Sequence, residues 1–347
     1  MSPSSRVRRS ALLLALALLA GAPLAAQQDR IPTGVRLGLI YQTGTRDRLA
    51  VRPFTAAPAL SALAREAEET LRQDMDFSDR FELMEVPERY AMGALEYGPL
   101  NELGLVWLVS GNVEGDDGAG ALLRITLHDV VYGRVREVAS YRLPAQDDPG
   151  FRMAVHAASD EVVRWTTGQP GIAATRIAFV RVDAASYELL VSDYDGRNLQ
   201  RVERAEEMLY SPVFSPDGSR LLYTRGTIGQ AVELRERNLA TGQTRVIDRR
   251  NTLVGTPTYA PDGHTVSFAI WLDDRYQIYR YDVARECCLE RQVAGTRGRD
   301  DLSPTYSSDG RRIAFNSNRL TQPHVFVAPA AGGEPRLLSP YIAGEPG

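Results

Sequence analysis

The sequence has little with which to build a redox, metal or catalytic centre. Its two cysteines are neighbours, Cys287 and Cys288, and it has four histidines in 347 residues. Adjacent cysteines bridge poorly across one peptide bond. They also lack the spacing of a zinc ligand set or a stapling framework. The pair is therefore expected to be packed and unbridged, with oxidation left open in an oxidising compartment. His128, His156, His264 and His324 show no H-E-x-x-H spacing, and no glycine-rich loop joins a strand to a helix to cradle phosphate. There is no G-x-S-x-G nucleophile elbow. These absences argue against an enzyme, a cofactor and a bound metal.

Positive charge is not in excess. The chain carries 40 basic and 44 acidic residues. A general nucleic-acid binder needs a basic face for phosphate, so that class is not expected. Long apolar runs are confined to the start. "MSPSSRVRRS" is cationic through Arg6, Arg8 and Arg9, "ALLLALALLA" is an apolar run of ten, and "GAPLAA" supplies small residues. Ten residues are too few for a hydrocarbon core of about 30 Å, so residues 1–26 read as a signal peptide cleaved near Ala26. Without those three arginines, 37 basic residues face 44 acids, a formal charge of −7. The expected mature protein is exported, soluble and periplasmic, and does not span the membrane.

Two grammars follow. From residue 27 to 168 strands and helices alternate, as in an α/β domain. "VRLGLIY", "RFELMEV", "LVWLVSGNVEG", "ALLRITLHDVV" and "VREVASYRL" read as strands, with turns at Asp117-Gly118 and Tyr132-Gly133. In "LSALAREAEETLRQDM", Leu60, Leu63, Ala67, Leu71 and Met75 form one helical stripe. "PERYAMGALEY" reads as a helix opened by Pro87. "FRMAVHAASDEVVRWTTG" reads as a helix with Phe151, Val155, Ala158, Val162 and Trp165 on one face and Gly168 as its stop.

From 169 to 347 the chain repeats itself. "YSPVFSPDGSRLLYTR" (210–225), "GTPTYAPDGHTVSFAI" (255–270) and "LSPTYSSDGRRIAFNS" (302–317) share a turn and a following strand. In S-P-D-G, proline presets φ at the second position, aspartate takes the third and glycine closes the turn. Asp217, Asp262 and Asp309 are thereby explained as turn residues, not metal ligands. Tyr223, Phe268 and Phe315 read as core. An earlier copy, "TRIAFV" with "YELLVSDYDGRNLQRV", lacks the turn motif; its strand centre Ile177 and those of the others, Leu221, Val266 and Ile313, are 44, 45 and 47 residues apart. A four-stranded unit with this period is the mark of a β-propeller blade. Four copies with "SPYIAGEPG" approaching another repeat suggest part of a larger ring.

These residues resemble the TolB family, the periplasmic propeller protein of the Tol-Pal system. The likeness rests on "LAVRPF" (49–54), on "AVHAASDEVVRWTTGQPGIAATRIAFV" (154–180), on "YELLVSDYDGRN" (187–198) and on the S-P-D-G repeats. It implies an N-terminal α/β domain and an all-β propeller of six blades, four of them present. It implies a non-enzymatic hub that binds the peptidoglycan-associated lipoprotein Pal, or a Pal-like protein, at one mouth of the propeller, supporting outer-membrane integrity and cell division. The loops just before each P-x-aromatic would face that partner: Met208, Leu209, Tyr210 and Ser211; Leu253, Val254 and Thr256; Asp301 and Leu302. Tyr210, Leu253 and Leu302 would anchor, and Asp300 and Asp301 would form a charged rim. Leu253 and Leu302 stand where the family pattern is more polar. Contact with the inner-membrane protein TolA would fall on the mature N-terminal segment around Val35, Arg36 and Leu37. A monomer is expected. Two other readings stay open: a sensor or carbohydrate-binding propeller unrelated to Tol, and the propeller of a serine peptidase.

Overall fold

The computed structural model describes residues 46–115, 120–227, 229–295 and 298–338. The signal peptide, the strand expected in "VRLGLIY", Val35, Arg36 and Leu37, and the Asp117-Gly118 turn lie outside them.

The first sheet grows from short apolar runs. β1 (Asp47–Val51) is followed by β2 (Thr55–Ala56), helix α1 (Ser61–Phe77) and β3 (Phe81–Met84). Two short helices come next, α2 (Glu88–Ala91) and α3 (Tyr97–Glu102), then β4 (Trp107–Gly115), β5 (Ala121–Asp129), β6 (Arg134–Leu143) and helix α4 (Gly150–Thr167). The strand order is β3-β1-β4-β5-β6, with β2 paired to β4. β1 runs parallel to β3 and β4, whereas β4, β5 and β6 form an antiparallel meander. Alternation along β1 sends Leu49 and Val51 into the core beneath α1 and α4, and Ala50 into a second cluster with Leu100, Leu108 and Val130. Leu63, Ala67, Leu71 and Met75 of α1 meet Phe151, Val155, Ala158 and Val162 of α4 in the larger core, and Trp165 packs on it partly buried. α4 ends where Gly168 turns left-handed (φ 72°) and its N–H reaches the Arg164 carbonyl at 2.9 Å.

The helix expected over "PERYAMGALEY" does not form as one piece. α2 stops at Ala91, Met92 is extended, and Gly93 has φ 85°. Arg52 Nε and Nη2 take the Ala91 and Gly93 carbonyls at 2.9 and 2.6 Å. A helix continuing here would need carbonyls that the guanidinium has already claimed.

Beyond α4 the elements among the described residues are all strands. A three-stranded sheet contains β7 (Arg176–Asp183), β8 (Ser186–Asp193) and β9 (Gln200–Ala205). Three four-stranded antiparallel sheets follow. They are β10 (Met208–Phe214), β11 (Arg220–Gly226), β12 (Val232–Asn238) and β13 (Thr244–Arg250); β14 (Val254–Tyr259), β15 (Thr265–Leu272), β16 (Arg275–Asp282) and β17 (Cys287–Arg291); and β18 (Asp301–Tyr306), β19 (Arg312–Leu320), β20 (Gln322–Pro329) and β21 (Arg336–Leu337). The leading strands β10, β14 and β18 pack against one another in turn. They are the inner strands of successive propeller blades, which form an open arc among the described residues. No helix among these residues is long and apolar enough to cross a membrane.

Each turn motif behaves as its chemistry requires. Gly218, Gly263 and Gly310 all have φ 69°, and each glycine N–H closes on the first residue of its turn at 2.8–3.0 Å. Asp217 accepts from the Ser215 hydroxyl and the Ser219 N–H, which holds its carboxyl well below the usual range. Asp309 repeats this with Ser307 and Arg311, so losing the proline costs the third turn nothing visible. Tyr223, Phe268 and Phe315 are core, at 0 to 2% exposure.

The strand centres Leu221, Val266 and Ile313 are fully buried, opposite Phe214, Tyr259 and Tyr306 on the inner strands. Ile177, at the same place in the first copy, is 47% exposed. Among the described residues β7 has no strand on its inner side, so Ile177 forgoes roughly half of the ~1.5–3 kcal/mol that full burial would contribute.

Cys287 and Cys288 correct the sequence reading: they are joined by a disulfide. Adjacent side chains on a regular strand point to opposite faces. Cys288 instead has φ 70°, beside a register shift between β16 and β17, and this departure brings the two sulfurs to one side.

Candidate functional site

The inner strands share an irregularity that creates a site. Each bulges immediately before a proline. The register shifts between Tyr210 and Val213, between Gly255 and Thr258, and between Leu302 and Thr305. At the bulges Ser211, Thr256 and Ser303 have φ of 52°, 48° and 53°. Each precedes a proline, which already restricts its backbone. A left-handed conformation in an L-residue costs on the order of 1–2 kcal/mol. Three repeats therefore hold the same costly geometry at the same place, as strained backbone tends to be held at functional sites.

The bulges turn the strand starts toward a common pocket of about 440 Å³. Met208, Tyr210, Ser211, Leu253, Thr256 and Leu302 line it half-buried. Leu209 and Val254 also contribute, but at 2% and 1% exposure they belong to its floor. Two bonds fix the blades relative to one another here. The Tyr210 hydroxyl donates to the Val254 carbonyl at 2.8 Å, and the Ser303 N–H donates to the Thr256 hydroxyl at 3.2 Å. A Cβ on Gly255 would stand 3.3 Å from Tyr210 Cε2, so glycine lets the ring lie flat against the next strand. Burial pushes the Tyr210 hydroxyl up to about 12, so it stays a neutral donor.

The structure thus brings together eight of the residues expected at the propeller mouth. Asp301 is corrected by its burial, and Asp300 stays half-buried outside the pocket lining. Asp301 is 2% exposed and its carboxylate pairs with Arg319 at 2.8 Å. Asp300 accepts the Tyr276 N–H at 2.9 Å and the Asn318 amide at 3.1 Å. Both carboxylates are engaged by internal backbone and side-chain partners, and the buried Asp301 is not a rim charge. Four residues that sequence reasoning missed complete the lining: Tyr187, Gly255, Ala269 and Tyr276. Tyr187 and Tyr276 are each the second residue of the equivalent strand in their repeats, β8 and β16. Aligning the repeats beyond the turn motif would have revealed them.

The histidines do not converge on this pocket. His128 is held in the first sheet between the Tyr97 and Ser110 hydroxyls at 3.0 and 2.9 Å; burial and then Arg52 lower its pKa. His264 stands exposed at the start of β15.

Comparisons with known proteins agree with this architecture. The profile of the TolB beta propeller domain matches residues 163–342. The Tol-Pal system protein TolB of Anaeromyxobacter dehalogenans (strain 2CP-C) is 30% identical over 275 residues, 76% of this chain and 60% of the relative. The protein TolB homolog of Chlorobium chlorochromatii (strain CaD3) is 27% identical over 270 residues, 74% of this chain and 58% of the relative. The chain thus spans about three fifths of the length of these relatives. The crystal structure of TolB from Acinetobacter baumannii superposes with a TM-score of 0.71 at 22% identity, covering 85% of this chain and 71% of that one. The arc of blades, the preceding α/β layer and the profile match over more than half of the sequence agree: the chain belongs to the TolB β-propeller family.

Proposed function

We propose that the protein is a non-enzymatic interaction hub of the periplasm in a Tol-Pal-like system. Its pocket between the inner strands receives an apolar anchor from a Pal-like peptidoglycan-associated lipoprotein. The observation that carries this reading is the pocket itself. It is apolar and rigidly framed, and it lies at the loops a TolB-like protein would present. Such a pocket suits the buried anchor that dominates a protein interface, with the surrounding contacts excluding water. Outer-membrane maintenance and support of division follow from the same assignment, as does a TolA-like partner for the segment around Val35, Arg36 and Leu37.

Titration of the purified chain with the soluble domain of a Pal-like lipoprotein tests the reading. Saturable one-to-one binding is expected, lost in Leu302→Asp. No binding, or equal binding by that variant, would remove the pocket from the account. A second reading has one observation in its favour. Three tyrosines, Tyr187, Tyr210 and Tyr276, line one cavity, and such aromatic platforms suit a carbohydrate. Binding of envelope oligosaccharides in place of the lipoprotein would favour it.

A further inference from the structure

A second group of polar residues lies away from the pocket, where α4 meets the turn after β8. His156 on α4 is fully buried. Its Nδ1 lies 2.9 Å from each carboxylate oxygen of Asp74 on α1, and Asp74 also accepts the Tyr194 hydroxyl at 2.7 Å. The Tyr194 ring stands edge-on to the imidazole, with centroids 5.3 Å apart. A carboxylate on Nδ1 places the ring proton there. Nε2 then offers a lone pair, and it has no hydrogen-bond partner although it is buried.

Two carboxylates share that space. One oxygen each from Asp193 and Asp195 lies within 4.8 Å of the other and of a ring nitrogen of His156. Asp193 is 4% exposed and the Asp195 side chain is fully buried. The charges do not balance. Asp74, Asp160, Asp193 and Asp195 supply four carboxylates. Arg152 pairs with Asp195, and the exposed Arg197 stands 4.0 Å away. With a neutral His156, two negative charges remain among groups that are mostly out of water, a costly arrangement unless something cationic joins them. Asp160 is partly satisfied by the Ala173 and Ala174 N–H groups at 2.7 and 2.9 Å. Burial still pushes both Asp160 and Asp193 upward.

We propose that His156 Nε2, Asp193 and Asp195 bind one divalent first-row cation of the Zn²⁺ or Mn²⁺ class. One imidazole with two carboxylates is a donor set for these ions. Asp74 plays the orienting part, because a metal-binding histidine commonly gives its other N–H to a carboxylate. A dication neutralises the surplus charge and gives Nε2 a partner. Zinc ligands at about 2.0–2.2 Å sit roughly 3.4 Å apart in a tetrahedron, so the three side chains draw in by about 1 Å at most. Asp193 also lines a cleft of about 610 Å³ with Pro149, Asn198 and Phe214, which gives an ion a way in. Since the ligands come from α4, from the last residue of β8 and from the turn that follows it, the cation ties the α/β layer to the first blade. None of this depends on the partner assigned to the pocket.

The test uses the full chain stripped with a chelator, then given Zn²⁺ alone or Mn²⁺ alone. One ion bound per chain is expected, with a higher Tm and a shifted His156 Nε2 resonance. Asp193→Asn should weaken binding by at least about tenfold. Its metal-free Tm should equal or exceed that of the stripped wild type, because a buried like charge is gone. Asp195→Asn is the second variant should the first fail to fold. If neither ion moves the Tm or the His156 resonance, or if a folded variant binds like the wild type, the site does not exist.

Discussion

The Tyr210 hydroxyl donates to the Val254 carbonyl at 2.8 Å, across the seam between two neighbouring blades. With the bond from the Ser303 N–H to the Thr256 hydroxyl, it fixes the blades relative to one another at the pocket. Tyr210→Phe should cost about 1 kcal/mol of stability, read as a lower urea midpoint with an unchanged slope.

Alkaline pH probes Tyr210 together with two other tyrosines. Burial raises Tyr141, Tyr210 and Tyr223 to about 12. A folded-state value above the unfolded one of about 10 favours the neutral form in the native protein. Stability from these groups is therefore complete below pH 10 and is lost as pH climbs from 10 to 12. Urea midpoints should fall across that window while tyrosinate absorbance rises with unfolding. A flat midpoint through pH 12 would contradict the burial of these rings.

Leu253→Asp and Leu302→Asp place a charge in the half-buried apolar lining. Each should weaken capture of the lipoprotein by roughly 2 kcal/mol, about thirtyfold. The far-UV spectrum should not change, because both side chains are already partly in water. Calorimetric titration reads the loss directly.

Asp301→Asn should act differently. Asp301 and Arg319 have side chains 2% and 10% exposed, and breaking a buried pair leaves a charge without its partner, at a cost of about 3–5 kcal/mol. Arg319 also stacks over Phe315 and Phe326, at 5.2 and 4.8 Å from the ring centroids. A fall in Tm of several degrees is expected. A variant as stable as the wild type that only binds more weakly would restore Asp301 to the rim.

Gly263→Ala tests the turn chemistry. At φ 69° a side chain is strained, and the added Cβ would meet Arg220 Nη2 at 3.5 Å. A loss of about 1 kcal/mol is expected, and Gly310→Ala should match it, since that turn keeps the same φ without the proline.

What could be read from the sequence was local. The S-P-D-G turns depend on atoms two to five residues apart, and the stripes of α1 and α4 depend on helical period, so composition and spacing suffice. The strand starts that line the pocket were legible because the repeat places them identically. The failures are long-range. Asp301 looks like a free rim charge until Arg319, 18 residues on, is folded against it. His156 looks like a helix-side polar residue until Asp74 arrives from 82 residues away. The end of α2 was missed because Arg52, distant in sequence, takes its carbonyls.

The arginine at the head of one blade's second strand reaches into the following blade. Arg176 Nη2 donates to the Gly218 carbonyl, and Arg220 Nη2 donates to the Gly263 carbonyl at 2.9 Å. Each clasp joins nearest neighbours only, so denaturation should advance from an outer margin like a row of slates lifting. Amide exchange would then be fastest along Arg176–Asp183 and slowest in Thr265–Leu272, flanked by blades on either hand.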